Sequence, residues 1–437
     1  MPQLRSLTEC GEAYLEALKK RGSPPEAFVK GMKLYEQFKQ LKKQSESLRA
    51  TRNQKTVEFS KTKDKSIVDD VKKIKKNLAI KEEKLSKVES EIRKIELMLP
   101  NWIDSKVPVG KSKLENVPIK YVGVPEVVRG KEGEFENNFG KRPYTRTGRK
   151  IHHADLVEKF KMVETENAAK ISGSRFYVEQ NELVMLDMAL SLFTMKEFSK
   201  RGFVPLVPPY MMKKEVEEKI TYFTSFEESI YNLVEDGLVM ITTSEHPLAA
   251  LYENHIFEKE ELPLRLVAFS PAFRREAGAH GKDTKGIFRT HQFHKVELHS
   301  MVPVEDQMNE LEFLRETVEK VMAPLGFPYQ IVKNCAGDMD NRALLQYDLE
   351  AWFPAQNNFR ELHSIATVGT WISEKLNIKV RQGSEKAYVA NLYATGAAIQ
   401  RTLLAIMVNN YDAEKEIIHI PKPLQGLSGI KTIEKPQ

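Results

Sequence analysis

From Ile67 onward the apolar residues fall at Ile67, Val71, Ile74, Leu78, Leu85, Val88, Ile92, Ile95 and Leu99. The steps are threes and fours, with one slot, Lys81, given to a charge. Spacing of 3.5 residues keeps a stripe on one side of a helix, and such a stripe needs a partner. Upstream, Leu34, Phe38, Leu41 and Leu48 repeat the pattern more weakly, with Ser45 in one slot. The polar stretch Ser60–Ser66 between them can turn the chain, and Pro100 after Leu99 stops the second helix. The pattern predicts a long antiparallel two-helix coiled coil in residues 1–100, each helix roughly 30 residues and roughly 45 Å long.

Beyond it the patterning changes. Residues 101–170 read as a connector with scattered Gly and Pro. In residues 171–437 a helical run, Glu182–Arg201, precedes a strand-like Gly202–Met212. Neither G-x-x-x-x-G-K-[ST] nor a strand-led G-x-G-x-x-G occurs, so a P-loop or dinucleotide fold lacks support. Helix and strand segments without βαβ rhythm predict an α+β body around an antiparallel sheet.

Composition adds limits. With 41% hydrophobic and 29% charged residues the chain is ordinary for a water-soluble protein. It lacks an apolar run of about 18 residues, which excludes a spanning helix and speaks against a membrane partner. The first twenty residues lack the apolar core of a secretory signal. Two cysteines, Cys10 and Cys335, exclude a disulfide framework and a four-cysteine zinc site. Both are expected to be small buried residues in a cytoplasmic protein. The net charge of +6 is unevenly divided. Residues 1–100 hold 24 Lys and Arg against 15 Asp and Glu, a surplus of nine; the rest hold 43 against 46. A basic helical arm suits a polyanion held through phosphate contacts. A dimerisation coiled coil with a solvated face fits the same pattern, and charge does not choose between them.

Three stretches carry chemistry. Pro271–Leu298 has strand-like arms around a Gly- and Lys-rich loop. Its second arm, from Ile287, sets Arg289, His291, Phe293, Lys295 and Glu297 on one face by the two-residue period. Cations, an aromatic ring and a carboxylate together suit a phosphorylated aromatic ligand. In Tyr347–Ser364, Glu361 beside a phosphate site would hold Mg²⁺, which takes one or two carboxylates plus substrate oxygens; a lone acidic residue on an edge strand fits the same pattern, and for any single Glu is the commoner case. In Asn391–Asp412, Thr395-Gly396 opens an apolar helix containing Arg401, which needs a counter-charge; a triphosphate or an internal ion pair would supply it. None of the ten histidines has zinc-ligand spacing.

In this order the stretches resemble motif 2, the metal-binding strand and motif 3 of class II aminoacyl-tRNA synthetases, with RGFVPLVPPYMM resembling motif 1 and Pro208 or Pro209 as its proline. The arm, KISGSRFYVEQ, TTSEHPL, FRREAG, GKDTKGIFRTHQFHKVE and CAGDMD before YDLEAWFP narrow the resemblance to the seryl-tRNA synthetases, and HQFHKVE to their archaeal or eukaryotic-like branch. The resemblance covers nearly the whole chain. It implies a class II antiparallel sheet flanked by helices and preceded by the coiled-coil arm: residues 1–100 as tRNA-binding arm, 101–170 as connector, 171–437 as catalytic domain.

It also implies roles. Thr243 and Glu245, with Ser244 between them, would engage the amino group of L-serine. Arg274 would bridge the serine carboxylate and the α-phosphate of ATP. Glu276 would read the adenine amino group, Phe293 would stack on the ring and Thr290 would line it, with Arg275 and Arg289 alongside. Glu297 would reach the serine amino or hydroxyl group and Thr395 the hydroxyl. Glu361 and Ser364 would hold Mg²⁺ and phosphate, and Arg401 the γ-phosphate. The partner implied is a tRNA with a long variable arm, bound by a homodimer. The chain departs from the family pattern at Tyr393, where Asn is usual, at Ile365-Ala366-Thr367, and at Ile372-Ser373-Glu374-Lys375. Tyr393 would lie in the amino-acid pocket. Three readings stay open here: a serine–tRNA ligase, a paralogue using another small amino acid or acceptor, and a catalytically silent RNA-binding relative.

Overall fold

In a computed structural model a short helix α1 (Gly11–Arg21), not expected from the pattern, precedes the expected hairpin of α2 (Glu26–Thr62) and α3 (Ser66–Met98). The structure describes residue 4 and residues 11–222, 229–276 and 285–436; Cys10 and residues 277–284 of the Gly- and Lys-rich loop lie outside these. The chain forms two compact units, Met1–Trp102 and Ile103–Gln437.

In the first unit the seam of α3 is buried at Ile67, Leu78, Val88, Ile92 and Ile95, and Leu99 follows it into the interior. On α2 the predicted slots Leu41 and Ser45 are buried, the latter 2% exposed, so the serine keeps its place in the stripe. Arg49 pairs with Glu82 and Lys55 with Asp70, which sets the antiparallel register of the two helices. The turn is shorter than the polar stretch suggested, because α2 continues through Thr62 and closes with Lys63 in the left-handed region. At the base the Tyr14 Oη donates to the Pro100 carbonyl at 2.6 Å, and its ring meets Phe28 and Trp102 edge-on.

The second unit is α+β. Its eight-stranded sheet uses β1 (Val117–Val122), β2 (Val204–Leu206), β3 (Leu264–Phe273), β4 (Gln292–Val302), β5 (Tyr329–Lys333), β6 (Leu345–Phe353), β7 (Asn358–Gly369) and β8 (Ala390–Ala398). The spatial order is β1-β5-β6-β7-β8-β4-β3-β2, antiparallel throughout except for β3 beside β2. Helices α4 (Glu182–Ser199), α5 (Glu245–Ala250), α6 (Gln307–Met322) and α7 (Ile399–Asn409) complete the parts that matter here. Leu186 and Leu190 of α4, Leu314 and Val318 of α6, and Leu403 and Met407 of α7 join the sheet's apolar residues in one core. Covered in this way, β4 is buried from Lys295 to Val302 and does not alternate.

The stretch 101–170 contributes β1 to the sheet edge, and its Phe135 and Phe139 pack on Trp352 and Phe359. Thr395-Gly396 belongs to β8; the helix begins three residues later, at Ile399. The ladder decides this, because Thr395 pairs with Glu297 and a Cβ on Gly396 would sit 2.8 Å from the Phe198 ring and 3.2 Å from the Val296 carbonyl oxygen. The second motif-2 arm likewise pairs only from Gln292, so Arg289 and His291 precede the strand. Gly202–Met212 yields the short β2 and a separate strand at Met211–Lys213. Among the described residues no helix is long and apolar enough to cross a membrane.

Candidate active site

A cavity of about 420 Å³ opens on the sheet where β4, β7 and β8 lie side by side. β4 presents Phe293 and Lys295, β7 presents Glu361 and Ser364, and β8 presents Tyr393 and Thr395. α7 adds Gln400 and Arg401, and the end of β3 leads into Arg274 and Glu276.

At one end cations gather around aromatic rings. The Arg274 guanidinium lies 5.3 Å from the Phe293 centroid, with Nε donating to the Thr242 carbonyl at 3.3 Å. Arg289 is ion-paired with Glu276 through Nε. Arg401 stacks 4.8 Å from the Phe288 centroid, donates to its carbonyl at 3.1 Å and reaches Glu361 at 3.9 Å. Thr290 turns its hydroxyl to the Gln292 carbonyl at 2.8 Å. Burial pulls the Arg274 and Arg401 guanidinium groups below their ordinary pKa, with Glu276 and Glu361 opposing the shift. Both nevertheless remain cations, as arginine does in proteins. Several buried or half-buried cations beside aromatic rings suit a polyphosphate carrying an aromatic base.

Glu361 is half-exposed, and the Ser364 hydroxyl donates to its Oε1 at 3.3 Å. Behind them Asp348 is pushed well up by burial and then by Glu361, while it accepts from Asn334 and Gln346 at 2.7 and 3.0 Å. Glu350 is pushed up to about 7, mainly by burial. Burial favours the neutral forms of Asp348 and Glu350, which leaves Glu361 as the carboxylate that faces the cavity, with the Ser364 hydroxyl as its oxygen neighbour. That donor set fits a hard divalent cation.

At the other end the Thr243 hydroxyl donates to Glu297 Oε2 at 3.3 Å and accepts from the Glu245 amide at 3.2 Å. Glu297 is fully buried and ion-paired with Lys295; its Oε1 has no partner among the described residues. Burial, then Arg274, pulls Lys295 down to about 7. Arg342 clasps Glu245, Nη1 to Oε1 at 3.0 Å. Burial alone would raise Glu245, yet Arg342 and His246 hold it below the usual carboxylate value. Thr395 lines the same end and is 8% exposed.

Most of the expected residues therefore converge: Thr243, Glu245, Arg274, Glu276, Arg289, Thr290, Phe293, Glu361, Ser364, Tyr393, Thr395 and Arg401 all line the cavity. Glu297 stands behind Thr243 and Lys295. Arg275 is exposed and outside the lining, and Ser244 is fully buried behind it. Sequence reasoning missed Asp340, Arg342, His246 and Gln346, which also line the cavity. Arg342 reaches Glu245 across 97 residues, so no local pattern joins them. The signal available was the charged Asp340 that ends the quoted CAGDMD, with Arg342 two residues beyond it.

Two family models match. Residues 1–103 match the seryl-tRNA synthetase N-terminal domain, and residues 226–410 the class II tRNA synthetase core domain (G, H, P, S and T). A serine–tRNA ligase of Thermococcus sibiricus is 39% identical over 92% of this chain and 90% of its own; one of Archaeoglobus fulgidus is 44% identical over 75% and 74%. Among solved structures, seryl-tRNA synthetase from Pyrococcus horikoshii complexed with ATP superposes with a TM-score of 0.94 at 35% identity, covering all of both chains. The cytoplasmic serine–tRNA ligase of Naegleria fowleri in complex with AMP gives 0.83 at 28%, covering 98% and 96%.

Proposed function

The chain belongs to the seryl-tRNA synthetases of class II, and we propose that its cavity joins serine to ATP before the seryl group passes to tRNA. As a serine–tRNA ligase it follows the first of the three readings open at the sequence. The observation that supports this site most directly is the meeting of Arg274, Glu276, Phe293 and Arg401 with Thr243, Glu245 and Thr395 around one cavity.

The serine carboxylate attacks the α-phosphorus in line and pyrophosphate leaves; the terminal ribose hydroxyl of tRNA then attacks the carbonyl of the seryl-adenylate, and AMP and the hydroxyl proton leave. The attacking carboxylate is already ionised, so positioning and charge stabilisation do the work. Arg274 spans the serine carboxylate and the α-phosphate. Arg401 meets the γ-phosphate, while Phe293 stacks on adenine, Thr290 lines the ring and Glu276, oriented by Arg289, accepts from its amino group. Glu245, Thr243 and Glu297 receive the serine ammonium, and Thr395 its hydroxyl. Glu361 and Ser364 are the residues that would hold Mg²⁺, which when bound supplies positive charge to the triphosphate oxygens.

The arm, residues 1–100, grips the long variable arm of tRNA through its lysines and arginines; its surplus of nine positive charges supports this. The body, 171–437, carries the chemistry, with 101–170 leading into it. The enzyme works as a cytoplasmic homodimer. Exposed Met185, Met188 and Leu192 on one face of α4, with Val204 and Val207 beyond it, support a second copy.

ATP–pyrophosphate exchange with each of the twenty amino acids tests the reading. Serine alone should give exchange, whereas exchange with a different amino acid, or with none, would overturn it. Deleting Ser23–Leu99 should abolish tRNA charging and spare exchange; loss of both would sink the division of labour.

A further inference from the structure

Tyr393 closes the amino-acid end of the cavity, and it is tied in place from a distance. It stands on β8 two residues before Thr395, so both side chains leave the same face of the strand. Its hydroxyl donates to Asp340 Oδ2 at 3.0 Å. Asp340 accepts from Arg342 in turn, Nη2 at 2.7 Å and Nε at 3.1 Å. The same guanidinium meets Glu245, Nη1 to Oε1 at 3.0 Å and Nη2 to Oε2 at 3.5 Å, and its centre lies 5.4 Å from the Tyr393 ring. Tyr393, Arg342 and Glu245 are 6%, 8% and 3% exposed, so the Arg342–Glu245 contact is shielded from water, while the Asp340 side chain is half-buried.

We infer that Arg342 is a positioning residue that couples the ammonium acceptor Glu245 to the pocket wall Tyr393, and that this wall selects serine over threonine by shape. The inference rests on the assignment of the cavity to serine. One planar fork does two jobs: Nη1 holds the Glu245 carboxylate, while Nε and Nη2 fix Asp340 and hence the phenol. A lysine ammonium is a point charge without that planar geometry and cannot do both. Shape must carry this choice, because threonine keeps the hydroxyl of serine and adds a methyl. Alanine is the opposite case; it fits the shape but leaves the hydroxyl's partners unpaired. Swinging the phenol aside to admit a methyl would break a charge-assisted hydrogen bond in a buried setting. Burial holds the phenol proton on Tyr393, so it stays a donor at all working pH values.

The test is ATP–pyrophosphate exchange by the full-length enzyme, read as kcat/KM for serine and for threonine and as KM for serine and for ATP. Wild-type exchange with serine checks the premise; the serine-to-threonine ratio checks the coupling. Tyr393→Ala should raise threonine use relative to serine by about 10- to 200-fold, the range one methyl group is worth in a shaped pocket. Tyr393→Phe keeps the ring and should raise it less. Arg342→Lys should raise both the threonine ratio and the serine KM and leave the ATP KM unchanged. A ratio unmoved in both Tyr393 variants would overturn the wall. Equal rises in serine and ATP KM for Arg342→Lys would reduce Arg342 to a structural role. If that variant does not fold, Tyr393→Phe decides, since it removes a single oxygen atom.

Discussion

Arg274→Gln is the sharpest test of the chemistry. Among the described residues Arg274 makes no ion pair within the protein; its one named hydrogen bond runs from Nε to the Thr242 carbonyl at 3.3 Å. The rest of the guanidinium is thus available to substrate. Two charge-assisted hydrogen bonds, to the serine carboxylate and the α-phosphate, at about 1.5–3 kcal/mol each give about 3–6 kcal/mol. If both strengthen as charge builds on the α-phosphate, the exchange rate should fall by about 10²- to 10⁴-fold at saturating serine and ATP. The fold should survive, because Glu276 keeps Arg289 and Glu361 keeps Arg401. There is a second readout. Burial and then Arg274 hold Lys295 down near 7, so removing the guanidinium should move the Lys295 titration to higher pH. The assay is ATP–pyrophosphate exchange against pH, with Tm as a control for folding. A loss of less than about threefold, or a loss entirely in KM, would refute the reasoning.

Two further outcomes follow from other parts of the site. Chelation of divalent cations should stop exchange, and Glu361→Gln should raise the Mg²⁺ concentration for half-maximal exchange by roughly tenfold, about 1.4 kcal/mol; an unchanged requirement would move the cation elsewhere. His299 and His363 are fully buried and pulled down to about 4 mainly by burial. Between pH 6.5 and 4 the unfolded chain binds protons that the folded one refuses, so stability present above 6.5 is lost as pH falls. The loss is roughly 3 kcal/mol per histidine once pH reaches 4. Tm measured from pH 7 down to 4.5 should drop steeply in the wild type and less in His299→Asn or His363→Asn, whereas equal slopes would exclude the two histidines as the cause.

Much of the architecture was legible in the chain because the signals are local. A 3.5-residue stripe requires a helix with a partner, and it assigns even Ser45 to the seam. The carboxylates, cations and ring of the catalytic stretches were readable for a similar reason: their residue types suit nucleotide phosphates, and resemblance supplied the roles. Where local propensity met a ladder, the ladder won. The Thr395-Gly396 pair looked like a helix start until pairing with Glu297 held it in β8. Residues 101–170 looked like a connector, yet Val117–Val122 finds an open sheet edge beside Tyr329–Lys333.

The end of the cavity lined by Tyr393 and Glu245 was the part that needed tertiary structure. Tyr393, the Asp340–Arg342 pair and Glu245 come from three separated segments, and their hydrogen bonds span 53 and 97 residues of chain. Nothing in the neighbourhood of any one segment announces the other two. Periodicity and composition set the arm, the charge surplus and the layered body, since each depends on residues a few positions apart. Which carboxylate faces ligand, which stands behind, and which arginine orients both a wall and an acceptor depend on long-range strand register and burial. Those are settled only when the sheet closes.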